Sequence, residues 1–230
     1  MKVISITKEN ILIVIYMLAI ATGLALTMRL QTVPTSSFAM PLSKKIILID
    51  AGHGGYDPGK VSGKSNEKDI NLEIAKKLQA YLEQSDAIVF MTRIDDSELA
   101  TTKKSDMYSR KLTANTSKAD IFVSIHQNSF PNSSVHGAQV FYFNSSDNSK
   151  KLAESIQKEV KEFVDYTNKF EAKENSNYYV LKQTTMPAVI VECGFLTNYS
   201  EKQKLLDPDY QDRLAWAIYM GILDYFNASA

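Results

Sequence analysis

Five short apolar runs, separated by stretches of helical periodicity, constrain this chain more than any other feature. The runs are Lys45–Asp50, Ala87–Thr92, Asp120–His126, Ala138–Phe143 and Ala188–Glu192. Each is too short for a stable helix and too continuously apolar for a loop, so each reads as a buried strand. Between them, apolar residues recur at helical spacing. Ile70, Ile74, Leu78 and Leu82 form a stripe within Glu67–Gln84, with Asn66 as a natural N-cap. Leu152, Ile156, Val160, Phe163 and Val164 do so within Asp147–Tyr166, and Leu214, Ile218, Ile222 and Tyr225 within Pro208–Phe226. A further helix is expected over Asp106–Lys118 and a short strand over Tyr178–Leu181. Strands alternating with helices predict a single α/β domain, with a largely parallel sheet between helical layers.

The pattern does not extend to the N-terminus. Asn10 to Met28 carries no charge, and Lys2 and Lys8 precede it. A basic start before an apolar run is the pattern of an export signal. The run is about 19 residues long, close to the ~20 that span a bilayer, so residues 1–29 read as a cleaved signal peptide or a membrane anchor through residues 10–28. A buried core helix is the weaker reading, because nothing polar marks a second face. Ser37-Phe38-Ala39 offers small residues at cleavage-site spacing. Residues 30–44, rich in Pro, Ser and Thr, read as a linker, leaving residues 45–230 as the folded domain. That domain is expected to work outside the cytoplasmic membrane.

Charge and cysteine content narrow the chemistry. Lys+Arg and Asp+Glu both number 26 in the 230 residues, so no basic excess points to nucleic acid. Cys193 is the one cysteine, which excludes an intramolecular disulfide and an all-cysteine metal site. An exported domain of this size must therefore rely on its hydrophobic core.

Three polar residues stand where strands end. His53 lies three residues beyond the first apolar run, His126 closes FVSIH, and Glu192 closes AVIVE. In open α/β sheets ligands bind outside the carboxyl ends of the strands, so these side chains are expected to converge. Glu67 joins them from the start of the first helix, at the end of a loop with glycines at 54, 55, 59 and 63. Two imidazoles and a carboxylate are a catalytic zinc set, and a second carboxylate would move the proton of the attacking water. Spacing alone leaves open which of Glu67 and Glu192 is ligand and which is base.

These residues carry a resemblance. IILIDAGHGGYDPG, the following Glu67, VSIHQN and MPAVIVECGFLTN resemble the zinc-dependent N-acetylmuramoyl-L-alanine amidases, hydrolases of bacterial peptidoglycan. The similarity continues through FMTR, YSRK and GAQVFYF and covers roughly residues 46–228. The resemblance implies one Zn²⁺ ion on His53, Glu67 and His126, Glu192 as catalytic acid/base, and a twisted sheet of about six strands flanked by helices. Within the family the chain looks most like the spore-cortex, germination-specific type. The single N-terminal apolar segment and the stretch TRIDDSELATTKKSDMYSRK carry that reading, together with the lack of any recognisable wall-binding repeat. It implies action on peptidoglycan at the outer face of the membrane, in the wall or in the cortex space, and leaves room for an activating partner protein. Two rivals are an exported zinc peptidase cutting within the stem peptide and a non-catalytic wall-binding module of the same fold.

Other residues have plainer readings. Strand alternation points Cys193 away from Glu192, as a small buried hydrophobe. His136 reads as a solvated loop residue. Arg93 and Arg110 are two of four arginines among 22 lysines. Internal salt bridging is the first expectation for both, and binding a substrate carboxylate the second. Asn198 with Glu201 three residues on reads as a helix cap.

Overall fold

The computed structural model describes residues 7–30, 40 and 42–228. The chain divides into two compact units, Met1–Ala39 and Met40–Ala230. In the first, α1 (Lys8–Leu30) is a helix whose described apolar side chains, Leu12, Ile15 and Leu18 among them, are exposed. Among the described residues no helix is long and apolar enough to cross a membrane. The anchor expectation falls partly on the side chains of Asn10 and residues 25–28, which lie outside the described residues, as does the cleavage-site stretch 37–39.

The second unit holds the α/β fold. Its elements are β1 (Ile46–Ala51), β2 (Val61–Ser62), β3 (Ser65–Asn66), α2 (Glu67–Gln84), β4 (Ile88–Met91) and α3 (Lys103–Thr116). β5 (Ile121–Asn128), β6 (Gln139–Tyr142), α4 (Asp147–Phe163), β7 (Lys173–Glu174) and α5 (Tyr179–Gln183) follow, then β8 (Ala188–Phe195), α6 (Tyr199–Leu205) and α7 (Pro208–Ala228). Six strands form one sheet in the order β4-β1-β5-β8-β6-β7. All neighbours pair in parallel except β6 with β8. β2 and β3 make a small separate hairpin within the glycine-rich loop.

Burial on both faces explains the continuous apolar runs. On β1, Ile47, Ile49 and Ala51 join the larger core, while Leu48 enters the smaller one on the opposite face. The larger core takes the stripes of α2, α4 and α7: Ile74 and Leu78, Leu152 and Ile156, Leu214 and Ile218. The smaller core takes Ala114 from α3 and Val180 and Leu181 from α5. Cys193 is fully buried in the larger core.

Two local expectations need correction. Tyr178–Leu181 is not a strand: Tyr178 is the N-cap of the helix α5. Val180 and Leu181 are both buried against the same core, which adjacent residues of a strand cannot achieve because they face opposite ways. Asn66 occupies the N-cap of α2, but its side chain does not cap; its Nδ2 bonds Asp69 Oδ2 at 3.1 Å instead. Asn198 does cap α6, accepting from Glu201 N at 3.0 Å. The Glu201 carboxylate accepts from Gly137 N and Phe195 N, both at 2.9 Å, tying the loop before β6 to the end of β8.

Candidate metal centre

The site lies at the switch point of the sheet. From β1 the chain crosses to β4 on one side and then returns to β5 on the other, so the carboxyl ends of β1 and β5 open a crevice. His53 follows β1 into it, His126 lies near the carboxyl end of β5, which runs on to Asn128, and Glu192 sits beside His126 in register on β8, which runs on to Phe195. α2 delivers Glu67 from its first turn. One ligand atom each from His53, Glu67 and His126 lies within 4.8 Å of the others. Glu67 Oε1 is 3.2 Å from His53 Nε2 and 2.9 Å from His126 Nδ1. The two imidazoles meet edge to face, with centroids 5.0 Å apart.

The surroundings hold this cluster in place. Glu67 Oε2 accepts from Lys60 N at 2.8 Å, and Oε1 accepts from Gln127 N at 3.1 Å. Burial works against a charged Glu67, but hydrogen bonds from the two histidines outweigh it and hold the carboxyl far below its usual range. His53 Nδ1 lies 2.9 Å from Asp57 Oδ2, and Asp57 Oδ1 accepts from Gly59 N at 3.1 Å. A carboxylate behind a histidine fixes the ring and its tautomer, as is usual for metal-binding histidines. Burial lowers the proton affinity of His53, yet Glu67 and Asp57 together raise it.

Two glycines are required by close approach. A Cβ on Gly52 would overlap the His126 ring. Gly59 has φ +64°, and a Cβ there would lie 2.6 Å from Glu67 Oε2 and 2.7 Å from His53 Cδ2. His53 itself has φ +62°, a left-handed conformation that costs a non-glycine residue roughly 1–2 kcal/mol. Such strain persists where the surroundings over-determine the backbone.

Glu192 completes the site. It is 7% exposed, and its Oε1 accepts from Tyr178 Oη at 3.3 Å. Its Oε2 is buried without a hydrogen-bond partner among the described residues. Burial raises its proton affinity, with His126 opposing. Around these groups is a cavity of about 410 Å³, whose walls include all four predicted residues and Tyr178. The donor set of His53, Glu67 and His126 fits a bound cation, and Glu192 lines the same cavity.

The remaining candidates sit differently. Arg110 bonds Asp106 Oδ1, Asp50 Oδ1, Ala51 O and His53 O. Arg93 bonds the carbonyls of Ala51, Gly52, Lys68 and Asp95, so carbonyls rather than carboxylates are its partners. Both are buried, with four guanidinium hydrogen bonds each directed inward, where they anchor the loop that carries His53. His136 is exposed, with Nδ1 3.0 Å from Ser134 O. Sequence reasoning missed Tyr178 and Asp57. Asp57 stood four residues after His53 as a visible signal; Tyr178 was hidden by the misread strand.

Comparison with known proteins places the chain in a family. Residues 47–224 match the family described as N-acetylmuramoyl-L-alanine amidase. The chain is 40% identical over 197 residues to the germination-specific N-acetylmuramoyl-L-alanine amidase of Bacillus subtilis, covering 82% of this chain and 83% of that one. Among solved structures, the CwlD amidase of Clostridioides difficile in complex with the GerS lipoprotein is 42% identical, with TM-score 0.77 over 80% of this chain and all of that one. An N-acetylmuramoyl-L-alanine amidase from Clostridium difficile 630 is 38% identical, with TM-score 0.74 over 82% of this chain and all of that one.

Proposed function

Because the chain belongs to the N-acetylmuramoyl-L-alanine amidase family, we propose that it is an exported, zinc-dependent hydrolase of the amide joining N-acetylmuramic acid to L-alanine in peptidoglycan. The observation that carries this reading is the convergence of His53, Glu67 and His126 beside a buried carboxylate with one unpartnered oxygen. Likeness to a germination-specific amidase favours the spore cortex as the place of action. The related amidase solved with a lipoprotein supports an activating partner protein.

His53, Glu67 and His126 would hold the zinc ion. When bound, zinc supplies Lewis acidity, polarising the substrate carbonyl and acidifying water. The chain's own residues do the rest. Glu192, which lines the cavity and has its Oε2 unpartnered among the described residues, takes the proton of the attacking water. The C–N bond then breaks as Glu192 returns that proton to the alanine nitrogen. A raised proton affinity suits a group that must gain and release a proton in one turnover. Tyr178, donating to Oε1, keeps Oε2 available. Arg110 and Asp57 hold the backbone and ring of His53.

The test uses the full chain, zinc-loaded, on peptidoglycan, with released fragments identified by mass spectrometry. Stem peptides with a free L-alanine amino terminus are expected, and fragments cut within the stem would point to a peptidase instead. Glu192→Gln should keep its zinc and lose at least about a hundredfold in rate, the scale of general acid–base catalysis. His126→Ala should lose both zinc and activity. Full zinc occupancy in the latter, or near-normal rate in the former, would remove those residues from these roles.

A further inference from the structure

Two cavities share walls with the one around the metal centre, and their chemistry differs. One, of about 700 Å³, joins it through Lys103, Met107 and Tyr179 and is completed by Thr102, Lys104, Ser105 and Tyr108. The other joins it through Ser129 and is lined by Phe130, Ser133, Thr197 and Lys60. They have no lining residue in common. The substrate amide of the proposed reaction also has two arms: a glycan chain rich in hydroxyls, and a stem peptide with alanine methyls and free carboxylates.

The first cavity has an apolar floor from Met107, Tyr108 and Tyr179. Its walls carry two lysine ammonium groups and no carboxylate. Lys111, outside the lining, lies 5.0 Å over the Tyr108 ring. The second cavity has one lysine, Lys60, against two in the first, and the hydroxyls of Ser129, Ser133 and Thr197 beside the Phe130 ring suit a sugar. An anionic ligand gains from the lysines, and its methyl groups gain from the floor. Resting on the amidase reading, we infer that the groove of Lys103, Lys104, Met107, Tyr108 and Tyr179 is the subsite for the acidic stem peptide. Its lysines select stems with free carboxylates over amidated ones. Both lysines are exposed, so the preference should weaken as salt is added.

The experiment is a calorimetric titration of the zinc-loaded full chain with free stem tetrapeptide and with the same peptide amidated at its carboxylates. The wild type should bind the acidic form more tightly. Lys103→Gln/Lys104→Gln should weaken that binding about tenfold, the scale of two exposed charge contacts, and abolish the preference. Equal affinity for both peptides in the wild type, or an unchanged preference in the variant, would overturn the proposal. So would binding of a peptide-free glycan strand that the same variant loses, since this assigns the groove to the sugar. Turnover is measured in parallel, where KM on acidic stems should rise about tenfold more than on amidated ones. A wild type that shows the peptide preference but cuts peptidoglycan only within the stem would sink the amidase reading and leave the acidic-peptide site standing.

Discussion

Asp50 shows how one buried charge supports the site from below. It is 1% exposed at the end of β1 and accepts from Arg110, Ser124 Oγ and Thr92 Oγ1. Burial alone would raise its carboxyl, but Arg110 and the two hydroxyls hold it down at about 2, from the ordinary 3.8. A depressed carboxyl contributes stability above its unfolded value and loses it as pH falls toward the folded one. About 2 kcal/mol should therefore disappear between roughly pH 4 and 2, and the acid limb of a denaturation series should be shallower in Asp50→Asn. Equal acid limbs would show that other carboxylates govern this range. Tyr178 acts at the same scale. Its ring packs edge-on against Phe141, with centroids 5.6 Å apart, so Tyr178→Phe keeps the packing and removes only the hydroxyl. Losing a hydrogen bond to a carboxylate should lower kcat about tenfold, with KM and zinc content unchanged. A variant at full rate would leave Tyr178 a packing residue.

At the scale of elements, the loop between β1 and α2 does the positioning. It carries His53 and delivers Glu67, and in between it folds back on both. Lys68 Nζ pins it to Gly55 O at 2.8 Å, and Lys202 Nζ reaches Ser62 O at 2.7 Å. Gly59 is where this folding allows no side chain. Gly59→Ala must bear a left-handed φ and press a methyl onto Glu67 and His53. Zinc affinity is expected to fall at least about tenfold, while the core strands, remote from the loop, keep their cooperativity. Competition titration against a chelating dye reads the first, and thermal denaturation the second. Wild-type zinc affinity would show that the loop relaxes without cost to the site.

For the folded unit as a whole, metal and fold are separable. The sheet buries both faces of β1, β5 and β8 without help from the site, so the domain should stay folded when zinc is removed. Ligand binding still stabilises the state that binds. At zinc a thousandfold above Kd the gain is about 4 kcal/mol, or roughly 10 °C in Tm for a unit of this size. Calorimetry with and without chelator measures it. Coincident melts would mean that His53, Glu67 and His126 hold no metal in solution, and unfolding on chelation would mean that the core is not self-sufficient.

Apolar patterning alone marked β1, β4, β5, β6, β8 and the long helices, because a run buried on both faces must be apolar throughout and a helix on one face must show a stripe; β2, β3 and β7, two residues each, carry no such pattern. The same patterning placed His53, His126 and Glu192 near strand ends and Glu67 at a helix start, and the fold brings all four to one cavity. Tertiary structure alone decided three things. It turned Tyr178–Leu181 into a helix, since a short apolar run has no period to distinguish the two forms. It directed Arg93 and Arg110 inward, since charge does not reveal which carbonyls and carboxylates lie within reach. It also gave Glu67 and Glu192 different environments. The first is surrounded by donors that hold it ionised, whereas the second is buried with one oxygen unpaired among the described residues, and local sequence records neither environment.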